Sequence, residues 1–272
     1  MKFKSIFILF NLVIIISFCF VFAMPFFALG TEFALTFWKS SWPLGLLLLV
    51  ILASFDTFFM FNFKLFNLLE REDWPALVQY LEERVIKRGH YSQRLVKLLI
   101  HSYLVMSDAQ SVITLEEKLK KAKPGLVSSN ALLFGISHIL KGDHSGAVAL
   151  FLEKEKQGGL KNEWERWYLC FALLLQQNFS DAADRLIELA RETKDPLVCA
   201  VSALFLTDTI QKAIPEKSDL AKEASDRAVE RIRKGLPDRQ AWNRELGKAQ
   251  GEIHIIILGK SLEDSAKLIY KE

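Results

Sequence analysis

Two long apolar runs open the chain, and a different pattern follows them. Residues 5–31 carry no charge, and residues 40–63 carry one, Asp56. Each run is long enough to cross a hydrocarbon core of about 30 Å as a helix. The pattern predicts transmembrane helices over about 5–29 and 41–63, joined by a short loop from Gly30 to Ser40. Trp38 and Trp42 fall where an interfacial aromatic belt would lie. Beyond residue 63, apolar residues recur at three- and four-residue spacing, which predicts amphipathic helices. Turn-forming pairs separate them at Ser107-Asp108, Gly142-Asp143 and Gln177-Asn178. The expected fold class is all-α, with a membrane part over 1–63 and a helical part over 64–272.

Basic residues suggest an orientation. Lys2 and Lys4 precede the first helix, Lys64 and Arg71 follow the second, and the loop between holds only Lys39. The positive-inside tendency puts both ends, and so the helical part, in the cytoplasm of a bacterial cell, as a multi-pass inner-membrane protein. A periplasmic helical part is the alternative. Val21-Phe22-Ala23 resembles a signal-peptidase site, but the apolar run continues to Leu29, which favours an uncleaved helix. Asp56 stands out. A carboxylate near mid-span costs roughly 2.5–3.5 kcal/mol on insertion scales unless paired or hydrated. It reads either as a helix-pairing or partner contact, or as a neutral group hydrogen-bonded to Ser17 or Thr57.

The helical part repeats itself. Gly142 is followed by Ala147 and Phe151, and Gly135 stands seven residues before Gly142. Stepping by 35 residues maps Ala147 onto Leu77, Val112 and Ala182. It maps His138 onto Leu68, Tyr103 and Leu173, and Phe151 onto Leu81, Glu116 and Leu186. Most columns stay small or apolar, and Glu116 breaks one. Small residues let two antiparallel helices approach, and an aromatic fills the gap to the next pair. Pro124 and Pro196 fall near repeat ends. This arrangement resembles the tetratricopeptide repeat (TPR) family over residues 93–196, with a period of 35 in place of 34 and without the family's tryptophan in most repeats. A related helical-hairpin solenoid shares these features. The resemblance implies a TPR-like α-solenoid of antiparallel helix pairs near 55–90, 93–124, 128–160 and 163–196, with divergent pairs over 197–234 and 238–270. In the first pair, the end of the second membrane helix would serve as the partner of a helix starting at Asp73-Trp74-Pro75. Anchor and scaffold would then be stiffly coupled. Farther on, Ala221, Ala224, Ala228 and Ile232 mark the packed face of a helix over 218–234.

Composition narrows the function. The chain has 35 basic and 32 acidic residues, and residues 1–63 hold three and two of them, leaving 32 and 30 for the helical part. That near-balance argues against a nucleic-acid partner, which calls for a positive excess. Cys19, Cys170 and Cys199 form no paired motif and read as small buried residues, without disulfide or zinc. The five histidines, His90, His101, His138, His144 and His254, lack metal-ligand spacing and read as structural. Gly259-Lys260-Ser261 imitates the end of a phosphate-binding loop, but His254 stands where its first glycine is needed. No catalytic set, metal site, cofactor or small-molecule substrate is expected.

What remains is a surface for protein partners, beside the lipid bilayer that holds the anchor. By the TPR resemblance, first helices of successive pairs line an inner face. That face would take Arg94, Lys97 and His101, then Leu132, Ile136 and Ile139, then Trp164, Trp167, Phe171 and Leu174. A basic end beside an aromatic stretch suits an amphipathic or acidic peptide. The alternative is that Trp164 and Trp167 pack against neighbouring helices. The expected function is a non-enzymatic, membrane-anchored scaffold or adaptor. An assembly or quality-control chaperone for membrane or exported proteins is one alternative. A subunit of a secretion complex or of the collar of periplasmic flagella is another.

Overall fold

The computed structural model describes residues 3–271. Among them every regular element is helical, and no strand forms. Lys2, part of the orientation argument, lies outside the described residues, as does the side chain of Lys4. The chain divides into two compact units, Met1–Arg88 and Gly89–Glu272. The boundary therefore falls after the first helix pair.

In the first unit, α1 (Phe3–Leu29) and α2 (Thr31–Glu70) pack against each other as a hairpin. The eleven-residue loop expected between them is absent. Gly30 alone makes the turn, with φ +84°, a conformation that costs glycine little. Helix then resumes at Thr31, because Phe33, Phe37 and Trp38 continue an apolar face. The Trp38 ring lies 4.6 Å from that of Phe22, and its Nε1 donates to the Phe22 carbonyl at 3.2 Å. Pro43 leaves its mark as a break at Ser41 (φ −106°, ψ 18°), the expected effect of a ring that cannot donate to the preceding turn. The α1 window Ile8–Ala28 and α2 are both long and apolar enough to cross a membrane, and their apolar faces are exposed. α2 has 40 residues, so it is about 60 Å long, roughly twice a bilayer core. Asp56 is half-buried, and among the described residues neither Ser17 nor Thr57 hydrogen-bonds to it.

The far end of α2 continues without interruption to Glu70, as the sequence predicts. It packs on α3 (Trp74–Glu82), which a π-helical turn extends over Glu83–Lys87. Leu65, Leu77, Leu81 and Val85 are buried in this pair. The Lys64 ammonium and the Arg84 guanidinium each lie near the Tyr80 ring, at 5.3 and 5.2 Å.

The second unit is a succession of helices. They are α4 (Gln93–Val105), α5 (Ala109–Ala122), α6 (Pro124–Ser129), α7 (Ala131–Leu140), α8 (His144–Gly158), α9 (Glu163–Leu175), α10 (Phe179–Glu192) and α11 (Pro196–Phe205). A π-helical turn, Leu206–Ile210, joins α11 to α12 (Gln211–Ala213). Next come α13 (Ser218–Gly235), α14 (Arg239–Ala249), α15 (Ile253–Ile257) and α16 (Gly259–Tyr270). The α13 face is as expected, with Ala221, Ala224, Ala228 and Ile232 all buried. In the pair expected over 238–270, helix is broken at Gln250–Glu252, around Gly251, between α14 and α15.

One turn recurs four times. Residues 72, 107, 142 and 177, each 35 from the next, have positive φ, of 53°, 59°, 75° and 62°. Each closes the preceding helix with two backbone bonds. The following residue donates to a carbonyl five positions back, as in Asp143 N to His138 O at 2.9 Å. The positive-φ residue donates three positions back, as in Gly142 N to Ile139 O at 3.0 Å. Asp73, Asp108, Asp143 and Asn178 then cap the next helix through their side chains. Between α7 and α8, Gly135 is needed for contact: a Cβ there would fall inside the Phe151 ring.

Candidate binding groove

The ten residues expected to line an inner face divide sharply. Arg94 and Lys97 on α4 are exposed, and His101 is half-buried. Leu132, Ile139 and Phe171 are partly buried against the core. Ile136, Trp164, Trp167 and Leu174 are buried, at 1 %, 7 %, 1 % and 8 % exposure. The aromatic stretch is therefore not free surface, and that part of the expected groove is corrected. Phe205 at the end of α11 closes over it: its ring meets Trp167 at 5.4 Å and Phe171 at 5.6 Å, both edge-on.

A cavity nevertheless brings the three helices together. Lys97 of α4, Leu132 of α7 and Trp164 of α9 line one space of about 390 Å³. Gln93, Asn130 and Glu165 contribute polar atoms, and Gln93 and Asn130 exchange side-chain hydrogen bonds at 3.3 Å. The opposite wall comes from the end of the chain: Ala249, Glu252 and His254. The His254 ring sits 4.7 Å from Trp164, and the Tyr168 hydroxyl donates to the His254 carbonyl at 3.4 Å. The stretch from α14 to α15 is thus a strap that packs on α9 and shares this cavity with α4 and α7. Burial pushes His254 down to about 4, against the pull of Glu252. Burial and Lys97 also lower His101. Both imidazoles are therefore neutral at pH 7. Sequence reasoning missed the strap. Its signal was Gly251 set between an amphipathic helix and the apolar run Ile253–Leu258.

A second cluster could be mistaken for a reactive one. His138 on α7 bonds Glu116 through Nε2 at 2.8 Å and Asp143 through Nδ1 at 2.7 Å. Glu116 on α5 also pairs with Lys120 at 2.6 Å. Burial opposes the charged His138, and the two carboxylates outweigh it and raise its pKa. Burial likewise opposes a charged Glu116, and His138 with Lys120 lowers it overall. Both ring nitrogens are engaged by carboxylates, so neither is available as a base or nucleophile. The cluster fastens α5 and α7 to the start of α8. It also explains the broken column: Glu116 and His138 are the polar exceptions of two apolar columns, and they satisfy each other. Cys170 and Cys199 are buried, and burial pushes the Cys170 thiol up to about 12, far from a reactive thiolate. Among the described residues, no group of three or more His, Cys, Asp or Glu is placed to hold a metal ion.

A family model described as "Uncharacterised Treponema protein" matches residues 111–271, more than half of the chain. The chain belongs to that family. The matched span takes in α7, α9 and the strap, and it starts after Arg94, Lys97 and His101, so the basic side of the groove precedes it. An uncharacterized protein of Treponema pallidum (strain Nichols) is 29% identical over 227 residues, covering 80% of this chain and 68% of the relative. No solved structure matches the chain.

Proposed function

We propose that this member of the Treponema family is a non-enzymatic scaffold, anchored in the inner membrane by α1 and α2, that binds protein partners through a TPR-like stack of helix pairs. The observation that carries the reading is the pairing of two parts in one chain. Two long helices present apolar residues such as Phe20, Phe27, Leu47 and Phe61 to their surroundings. A run of hairpins with a 35-residue turn motif follows them. Exposed apolar area on that scale is unfavourable in water, at roughly 25 cal/mol per Å², and is removed by lipid. Stacked hairpins, in turn, offer extended surfaces rather than enclosed reaction chambers. A cytoplasmic placement of the second unit follows from the basic residues that flank the helices.

Two measurements test this. The chain is expected to stay in the membrane pellet after alkaline carbonate extraction and to enter solution with detergent. Release by carbonate would remove the anchor. Cysteines placed at Lys118 and Lys234 are expected to react with an impermeant maleimide only after the inner membrane is opened. Reaction with that membrane sealed would put the second unit on the other side.

A further inference from the structure

The strap covers the groove with an incomplete contact. Trp242, His254, Ile255 and Leu258 are buried under or beside it, whereas Ile256 is 67% exposed and Ile257 41%. Where strap and groove meet, two buried polar atoms of the cavity lining have no partner: Nδ1 of His254 and Oε2 of Glu165. A satisfied interior pairs such groups, so this contact is incompletely paired. The strap also joins α14 through Gln250-Gly251-Glu252, where helix is interrupted. It is tied to the core through α16, which packs on α11.

The strap shows what chemistry the groove accepts. Glu252 shares the cavity with Lys97, and both act on the charge of His101. Ile255 is buried, and His254 lies against the Trp164 ring. An acidic residue followed by an apolar run with Ile255 and Leu258 buried therefore adjoins a face that offers a basic residue, an indole and leucines.

We propose that the face of α4, α7 and α9 is a binding site for a short amphipathic segment of a protein partner, carboxylate first and branched apolar residues after it, and that the chain's own Glu252–Leu258 fills this site until such a segment displaces it. The proposal rests on the scaffold reading and gives it a partner chemistry and a resting state. In the occupied groove, the partner's carboxylate would face Lys97 and its apolar side chains would cover Leu132 and Trp164. Its backbone or polar groups would meet the donors and acceptors that the strap leaves unpaired.

The test uses the full chain in detergent or nanodiscs and a fluorescent peptide copying residues 249–258 with a solubilising tail. Ile255→Asp, which loosens the strap, is expected to bind the peptide at least tenfold more tightly than wild type. Adding Trp164→Ala, or reversing the peptide's charge at the Glu252 position, is expected to weaken that binding at least tenfold. Equal binding to both chains, or none to a folded Ile255→Asp chain, overturns the proposal. Should that variant fail to fold, His254→Gly replaces it, and hydrogen exchange of the wild type decides independently. Strap amides over 251–258 are expected to exchange at least tenfold faster than those of α11 and α16, and equal protection contradicts displacement. A failure here leaves intact any partner bound elsewhere on the scaffold, which cross-linking from other faces would still detect.

Discussion

Glu116 and His138 show how much a single pair decides. Glu116 is buried at 1 % exposure in a column that otherwise holds Leu81, Phe151 and Leu186. Removing one member of such a pair leaves the other buried and uncompensated, at about 3–5 kcal/mol. His138→Leu is therefore expected to lose close to 3 kcal/mol, since Lys120 still pairs with Glu116. The double variant with Glu116→Leu restores the residue type found at Leu173 and Leu186 and is expected to recover most of the loss. Denaturant unfolding of the four chains of this cycle measures the coupling. The pH dependence has a definite sign. His138 is held above its ordinary value of 6.5, so its contribution is complete below that pH and fades as pH rises through the raised value. Glu116 and Asp143 are held below 4.5 and 3.8, so theirs is complete above about pH 4.5 and fades as pH falls. For Asp143 the Gly146 backbone N–H is the main cause. The wild type's advantage over the double variant should peak between about pH 4.5 and 6.5 and shrink toward pH 9. An advantage that does not change with pH would exclude this account of the clamp. The sequence showed Glu116 as a breach in a column but not its remedy, because the partner lies 22 residues away on another helix.

At the scale of elements, the turns were the most legible part. Ser-Asp, Gly-Asp and Gln-Asn pairs mark places where a left-handed residue ends one helix and a capping side chain starts the next. Each of these local choices is written in adjacent residues. Asp108 and Asp143 both cap, accepting from the backbone of Ser111 and Gly146 at 3.0 and 2.9 Å, and Asp108 also accepts from the Ser111 hydroxyl at 2.6 Å. Asp143 alone also bonds a buried histidine. Asp108→Ala is thus expected to lose about 1 kcal/mol in thermal or denaturant unfolding, and Asp143→Ala distinctly more. Equal losses would show that the His138 bond contributes no more than the Ser111 hydroxyl bond of Asp108. Other boundaries misled. The stretch from Thr31 to Ser40 reads as part of a loop, yet the structure carries it in α2, with a kink at Ser41 ahead of Pro43. Nor does the sequence distinguish a helix over 238–258 from two pieces, since Gly251 is tolerated in either.

For the whole molecule, what the sequence conveyed and what it could not follow from range. Long apolar runs and a 35-residue period are properties of the chain itself. Which face of a helix stays open depends on what arrives later. Trp167 looked like groove lining, and Phe205, from the following hairpin, buries it. Trp164 is covered by His254, 90 residues onward. Arg94 and Lys97 remain exposed. The account's central claim is a scaffold that meets its partner on the α4, α7 and α9 face. A photo-reactive amino acid at Lys97, with Lys118 on α5 as a control, tests it in membranes of the native cell. The account predicts a discrete adduct with a second protein from position 97 that position 118 does not give. Adducts identical from both positions, or only intramolecular products from position 97, would contradict it.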